Sequence, residues 1–260
     1  MGTGPFAGQP GGSFNFTLDD APPHRIFFES YPRRLRATIG GHTVLDSVRG
    51  RLLHETGLPA VPYVPLEDID AAVLEPSDTS THCPFKGDAS YRSIRVGDRL
   101  VEDAVWLYAE PLEAAPWLRG LGALAWGKAD EWWLEDERVF GHLRDPYHRV
   151  DVFESSRPVR VRAGGRVVAE SRRPKLLYET SLPVRVYLPR ADVAPDVLVP
   201  SEKRSVCPYK GEASYWSIEV DGQRLGDAAW SYETPLPEAM KAQGHVSFLG
   251  DGVEVEVEDR

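Results

Sequence analysis

The chain has 260 residues, 42% of them hydrophobic and 27% charged, with a net charge of −10 and two cysteines. Length and composition are those of a globular chain of one or two domains. Lys and Arg are spread singly on an acidic background, which excludes the phosphate-neutralising stripe of a nucleic-acid binder and disfavours docking on an anionic membrane.

No stretch approaches the eighteen or so apolar residues of a membrane-crossing helix. Met1 to Gly12 is rich in Gly and Pro, with neither a basic n-region nor an apolar h-region, so no signal peptide is expected. Residues 1–24 are expected to be a flexible lead-in. Two cysteines without a secretion signal fit a reducing cytosol, and the cytoplasm is the expected compartment.

Arg25–Ser30 opens a first structured segment, with Val150–Ser155 read as its counterpart further on. From Gly40 (with Gly164) to Leu112 (with Leu236) the chain then repeats itself at a constant offset of 124 without a gap. The first copy offers strands at Arg51–Glu55 and Val61–Val64, then a proline-opened helical turn at Pro65–Ile69. A polar stretch, expected to be a loop, leads to Cys83-Pro84-Phe85-Lys86-Gly87-Asp88-Ala89-Ser90-Tyr91-Arg92-Ser93-Ile94. Pro and Gly bracket its head, which demands a turn.

Residues 138–149 match neither copy in this register and are expected to be a connector, aromatic enough to pack on a domain. In the second copy, Val159–Ala163, Gly164-Gly165 and Arg166–Glu170 read as a two-residue β-hairpin. Lys175–Glu179 and Val184–Leu188 are further strands, and Pro189–Val193 is a second helical turn. Then comes Cys207-Pro208-Tyr209-Lys210-Gly211-Glu212-Ala213-Ser214-Tyr215-Trp216-Ser217-Ile218, identical to its earlier copy at nine of twelve positions. Strands at Ala213–Val220 and Ala228–Tyr232, a short helix at Leu236–Lys241, and strands at His245–Leu249 and Val253–Val257 complete the copy. The expected architecture is mainly β: two tandem copies, residues 25–137 and 150–260, of a small coiled-sheet or barrel-like domain with one short helix each.

Cys83, Cys207, Lys86, Lys210, Glu55 and Glu179 are the candidates for chemistry. A thiol in a turn beside a lysine is a candidate nucleophile, and equally a small buried apolar residue. Lys86 and Lys210 suit a carboxylate or phosphate as point charges, or a Schiff base, and equally a side chain lying along Phe85 or Tyr209 towards water. Glu55 and Glu179, each followed by Thr, recur identically. Tyr91, Trp106 and Tyr108 recur as Tyr215, Trp230 and Tyr232, and Trp216 joins them in the second copy. An acid, a lysine and aromatic walls are what a small-molecule pocket needs, and aromatics are also what cores are made of.

None of the seven histidines has a His at the matching place in this register, and neither Cys-x-x-Cys nor His-x-x-x-His occurs. No metal or cofactor is expected. Gly-x-Ser-x-Gly and P-loop signatures are absent as well.

The Cys-Pro-Tyr-Lys-Gly-Glu-Ala-Ser-Tyr-Trp-Ser-Ile run resembles the signature of the bacterial domain of unknown function 427 family. So do Leu177-Tyr178-Glu179-Thr180-Ser181-Leu182-Pro183, Ala229–Tyr232 and Pro235–Ala239, and the two-copy form is similar to the actinobacterial architecture. The resemblance implies a small all-β domain of strongly coiled sheet. It settles no activity: the nucleotidyltransferase label sometimes attached to the family would need a Gly-Ser leading into an Asp-x-Asp pair to hold two metal ions, a combination this chain gives little support for. Arg92, where the second copy has Trp216, departs from the signature.

Two functions follow as expectations. In one, each copy binds, and turns over in the stronger form, a small polar or anionic metabolite beside its Cys-Pro-aromatic-Lys-Gly turn. Lys210 and Glu179 then converge on one pocket. In the other, the domain is a non-catalytic interaction or structural module, and Lys210 points to open solvent or is spent in a closed pair. The copies are expected to pack as a pseudo-dimer within a monomeric chain.

Overall fold

The computed structural model describes residues 22–258. Most of the expected lead-in, residues 1–21, lies outside the described residues. The chain divides into two compact units, with the boundary between Leu143 and Arg144. The expected connector is thus shared: Leu143 is buried in the first core, while Arg144 and Asp145 contact Tyr209 of the second unit.

In the first unit the strands are β1 (Ile26–Ser30), β2 (Leu35–Ile39), β3 (His42–Ser47), β4 (Arg51–Glu55), β5 (Val61–Pro65), β6 (Leu74–Cys83), β7 (Gly87–Val96), β8 (Arg99–Leu107), β9 (Leu121–Leu124), β10 (Glu131–Leu134) and β11 (Glu137–Val139). A seven-stranded sheet runs β1-β4-β5-β9-β8-β7-β6 and a four-stranded one β11-β10-β2-β3. The second unit repeats this with β12 (Val150–Glu154), β13 (Val159–Ala163), β14 (Arg166–Ser171), β15 (Lys175–Glu179), β16 (Arg185–Pro189), β17 (Leu198–Cys207), β18 (Gly211–Val220), β19 (Gln223–Ser231), β20 (His245–Phe248) and β21 (Val253–Val257). Its large sheet runs β12-β15-β16-β20-β19-β18-β17, and its small one has three strands, β14-β13-β21. Among the described residues both units are mainly β, the strand pairings are antiparallel, and no sheet closes into a barrel.

The large sheet is buried on both faces, which adjacent residues reveal. Leu52 and Val64 belong to the core shared with the small sheet, while their neighbours Leu53 and Tyr63 belong to a second core on the opposite face. Side chains alternate across a strand, so each strand feeds both cores. Leu188 and Tyr187 divide the second unit in the same way. The functional candidates other than Trp216 stand on the second of these faces.

Two local expectations change. The polar stretches before the cysteines are ten-residue strands, β6 and β17, not loops. They form the outer edge of the large sheet, where one side of the backbone faces water and polar residues suit the position. Their register slips between Pro76 and Ser80 and between Pro200 and Arg204. Beside each slip an aspartate on the neighbouring hairpin, Asp103 or Asp227, takes a positive φ of 51° or 52° and accepts the hydroxyl of Ser77 or Ser201. Bulges of this kind coil a sheet. The expected helices are 3-10 turns: Leu66–Asp68, Arg190–Asp192 and Pro237–Ala242.

Candidate functional site

The turn after β6 is tight. Lys86 N donates to Cys83 O at 3.3 Å, and Gly87 follows at a φ of 102°, with Gly211 at 98° in the second unit. L side chains avoid this region, which is why Gly stands at both places. The turn folds Lys86 and Lys210 back over the sheet, towards the last residue of β4 or β15.

That residue is Glu55 or Glu179. Lys86 Nζ donates to Glu55 Oε2 at 2.6 Å, and Lys210 donates to Glu179 Oε2 in the same way. Side-chain exposure is 11% for each lysine and 7% for each glutamate, so both pairs are buried. The other carboxylate oxygen has a partner too: His24 Nε2 lies 3.0 Å from Glu55 Oε1, and His148 Nε2 lies 3.0 Å from Glu179 Oε1. A carboxylate oxygen only accepts, so the nitrogen facing it bears the hydrogen. In the neutral tautomer that this contact selects, Nδ1 on the other edge of the ring is an acceptor.

The threonine after each glutamate aims the histidine. Thr56 Oγ1 accepts from Arg25 N at 3.0 Å, and Thr180 Oγ1 from Arg149 N at 2.8 Å. Thr56 N and Thr180 N donate back to the carbonyls of Arg25 and Arg149. The residue after each histidine is thereby clamped, and the ring falls on the aromatic of the turn. His24 stacks on Phe85 with centroids 4.0 Å apart, and His148 on Tyr209 at 4.2 Å.

Aromatic residues pave the same face. Trp106 Nε1 donates to the Tyr63 hydroxyl at 2.9 Å and Trp230 Nε1 to the Tyr187 hydroxyl at 3.0 Å. Burial pushes the Tyr63, Tyr108, Tyr187 and Tyr232 hydroxyls well above the usual phenol range. Tyr209 is pushed up to about 12, chiefly by burial, although its oxygen accepts from Asp145 N. Cys83 and Cys207 are free, half-buried thiols packed against these clusters. Tyr91 and Tyr215 sit nearer the edge, hydrogen-bonded to Thr81 and Ser205 at 3.0 and 2.9 Å.

The structure thus brings Glu55, Lys86, Cys83, Tyr91, Trp106 and Tyr108 to one face of the first unit. It does the same with Glu179, Lys210, Cys207, Tyr215, Trp230 and Tyr232 in the second. Trp216 is not among them. One residue beyond Tyr215, it packs on the opposite core, donates to Ser231 Oγ at 3.1 Å and lies under the Arg190 guanidinium.

His24, His148, Tyr63 and Tyr187 escaped the sequence reading. The expectation that no histidine recurs does not hold, because His24 and His148 are separated by the same 124 residues as the rest of the repeat. The cause is the register at the start of each copy. Ile26 pairs with Glu55 and Val150 with Glu179, so Arg25 corresponds to Arg149 rather than to Val150. Extending the 124-residue offset upstream of Gly40 finds the pair. Among the described residues no cluster of three or more His, Cys, Asp or Glu side chains is placed to hold a metal ion.

The family described as a domain of unknown function (DUF427) matches the chain twice, over residues 27–135 and 151–259. No curated protein matches it.

Proposed function

The chain belongs to the DUF427 family in both of its units, and from that premise we propose that each unit binds a small polar or anionic metabolite at its histidine, with proton transfer as the chemistry available there. One observation carries this reading: the same His–Glu–Lys relay is built twice, from residues brought together across thirty-one positions of sequence on each side of the glutamate. A buried ion pair is costly to desolvate and adds little net stability to a β-core, so its recurrence favours a use beyond packing. In this reading Lys86 or Lys210 neutralises the glutamate, the glutamate holds the histidine tautomer, and Nδ1 meets the ligand as acceptor or base. The two free cysteines support the cytosol as its compartment.

A second reading draws on the closure of the Lys–Glu pair. Both lysines are spent on a neighbouring carboxylate, as befits a structural lock in a non-catalytic interaction module. A thermal-shift screen against a metabolite library separates the two, run on wild type and on His24→Ala/His148→Ala. A ligand that raises wild-type stability by mass action and loses its effect in the histidine variant, with the variant's own melting point little changed, supports the site. No shift with any ligand, together with Lys86→Ala and Lys210→Ala melting several degrees lower, gives the lead to the structural lock.

A further inference from the structure

The two relays stand in different surroundings. Leu66 N donates to Gly120 O and Arg190 N to Gly244 O, so the offset of 124 residues holds beyond Leu112 and Leu236. Val61, Trp117 and Leu121 pack on the relay core of the first unit. Their counterparts in the second unit are Arg185, Lys241 and His245. Phe28, which stacks on Trp117 with centroids 4.5 Å apart, becomes Val152. An apolar margin with a stacked aromatic pair borders one relay, and basic side chains border the other.

Register puts the arginine beside the relay. Arg185 pairs with Leu177, and Val152 and Val150 pair with Leu177 and Glu179. Arg185 therefore shares a face with Leu177, Glu179 and Tyr187, and is the diagonal neighbour of Glu179. Diagonal neighbours stand about 7–8 Å apart, within reach of a long side chain. Burial raises the Tyr187 hydroxyl and the Arg185 charge works against it, which agrees with a guanidinium on this face. Lys241 lies on the 3-10 turn that packs against β12. After the hydrogen bond from Lys175, its charge helps to hold the Glu154 carboxyl low.

Neither cation has an acid of its own. Among the described residues the side chains of Arg185 and Lys241 make no hydrogen bond or ion pair. Both oxygens of Glu179 are taken, by Lys210 and His148, and Glu154 accepts from Lys175 at 2.6 Å. On a chain of net charge −10, two unpaired cations on the margin of one site favour an anion there. A guanidinium fork and an ammonium with free donors suit the oxygens of a phosphate.

We propose that the relay site of the second unit, and not that of the first, takes a ligand bearing a phosphate group, held by Arg185 and Lys241 beside His148. This rests on the reading of the relay as a binding site. The first unit, with Val61 and Trp117 at these places, has no cation to offer such a group beyond the lysine already bonded to Glu55.

The test is titration of the full chain with inorganic phosphate and with acetate at pH 8 and constant ionic strength. Calorimetry gives affinities, the imidazole resonances of His24 and His148 report the place, and melting points establish that each variant is folded. Phosphate should shift His148 saturably and leave His24 unmoved, and acetate should bind about tenfold more weakly. Arg185→Val, which restores the residue of the first unit, should lose about tenfold or more in phosphate affinity, and the exposed Lys241→Ala severalfold. No saturable phosphate response at His148 overturns the proposal, as does acetate binding as tightly as phosphate. Unchanged affinity in folded Arg185→Val overturns it, and if that variant does not fold, unchanged affinity in Lys241→Ala does. Equal shifts at both histidines, untouched by Arg185→Val, keep the relay as a binding site and overturn only the division between the units. Phosphate binding that Arg185→Val abolishes and His148→Ala leaves unchanged supports the anion site and overturns the relay's part in it.

Discussion

His148 keeps the same 3.0 Å from Glu179 that His24 keeps from Glu55. The two contacts lie in units whose residues differ at many neighbouring positions, including the aromatic on which each ring stacks, Phe85 or Tyr209. A carboxylate held from one side by a lysine and from the other by a histidine has no accepting oxygen left without a partner. The chemistry of the site therefore rests on the free edge of the ring rather than on the acid.

Removing one member of the ion pair should cost more than removing both charges. Lys210→Met leaves the Glu179 carboxylate buried beside a methyl group, at about 3–5 kcal/mol of stability. Lys210→Met/Glu179→Gln should recover a large part of that, since the amide brings no charge. Urea unfolding measures both, and a Lys210→Met loss below about 1 kcal/mol would show that the pair behaves as an exposed one.

The glutamate should dictate the histidine tautomer. Long-range ¹H–¹⁵N spectra at pH 8 should show His24 and His148 protonated on Nε2. Glu179→Gln should erase that preference for His148 alone, because an amide both donates and accepts. Protonation on Nδ1 in the wild type would contradict the relay.

Gly211 should tolerate no side chain. Its φ is 98°, and a Cβ there would come within 3.2 Å of Thr234 O. Gly211→Ala should cost about 1–3 kcal/mol. Gly222→Ala, at a φ of 77° with nothing within 4 Å, should cost less. Equal melting points for the two variants would remove the close approach as an explanation.

Alkaline pH should unfold the protein through its tyrosines. Five of the ten tyrosines, namely 63, 108, 187, 209 and 232, are raised by burial. A phenol raised in the folded state contributes stability that is whole below its unfolded value near 10 and lost as pH rises through the folded one. Absorbance at 295 nm should show about half of the tyrosinates appearing only with the unfolding transition. Smooth titration of all ten near pH 10 would exclude buried hydroxyls.

Acid should act through Asp68 and Asp192. Burial pushes the Asp68 carboxyl up, but hydrogen bonds from Arg49 and Ser47 outweigh it and hold the group low. The Arg173 hydrogen bond leads in holding Asp192 low, joined by Ser171 against burial. A carboxylate depressed on folding contributes stability above its unfolded value near 3.9 and loses it as pH falls through the folded value. Asp68→Asn/Asp192→Asn should therefore lower stability at pH 7 and flatten its fall below pH 4. An unchanged acid limb would rule these groups out as its source.

Most strands were legible in the sequence. β4, β13, β15 and β21 run over the expected residues: β13 and β21 alternate apolar and polar residues, while β4 and β15 carry adjacent leucines, of which Leu52 and Leu53 feed opposite cores. β6 and β17 were not legible. A hydroxyl-rich strand on an outer edge satisfies water and ladder together and reads like a loop. Glu55, Lys86 and their second-unit counterparts stood out because they recur. His24 and His148 did not, since a slip of one residue in aligning the copies hid their recurrence. Trp216, conspicuous in the motif, proved to sit on the other face, as any residue next to Tyr215 in a strand must.

By itself the sequence determined that this is one β-domain used twice, that glycine must end the turn after Cys-Pro-aromatic-Lys, and which residue types recur around it. Only the tertiary structure decided which of them meet. The glutamate lies thirty-one residues from both its lysine and its histidine, and antiparallel pairing, not spacing along the chain, closes those distances. It also decided that Trp126 and Trp132 stack in one core, while Val255 of the other is 36% exposed among the described residues. Packing of facing sheets is a property of volumes in three dimensions, and alternation along a strand does not record it.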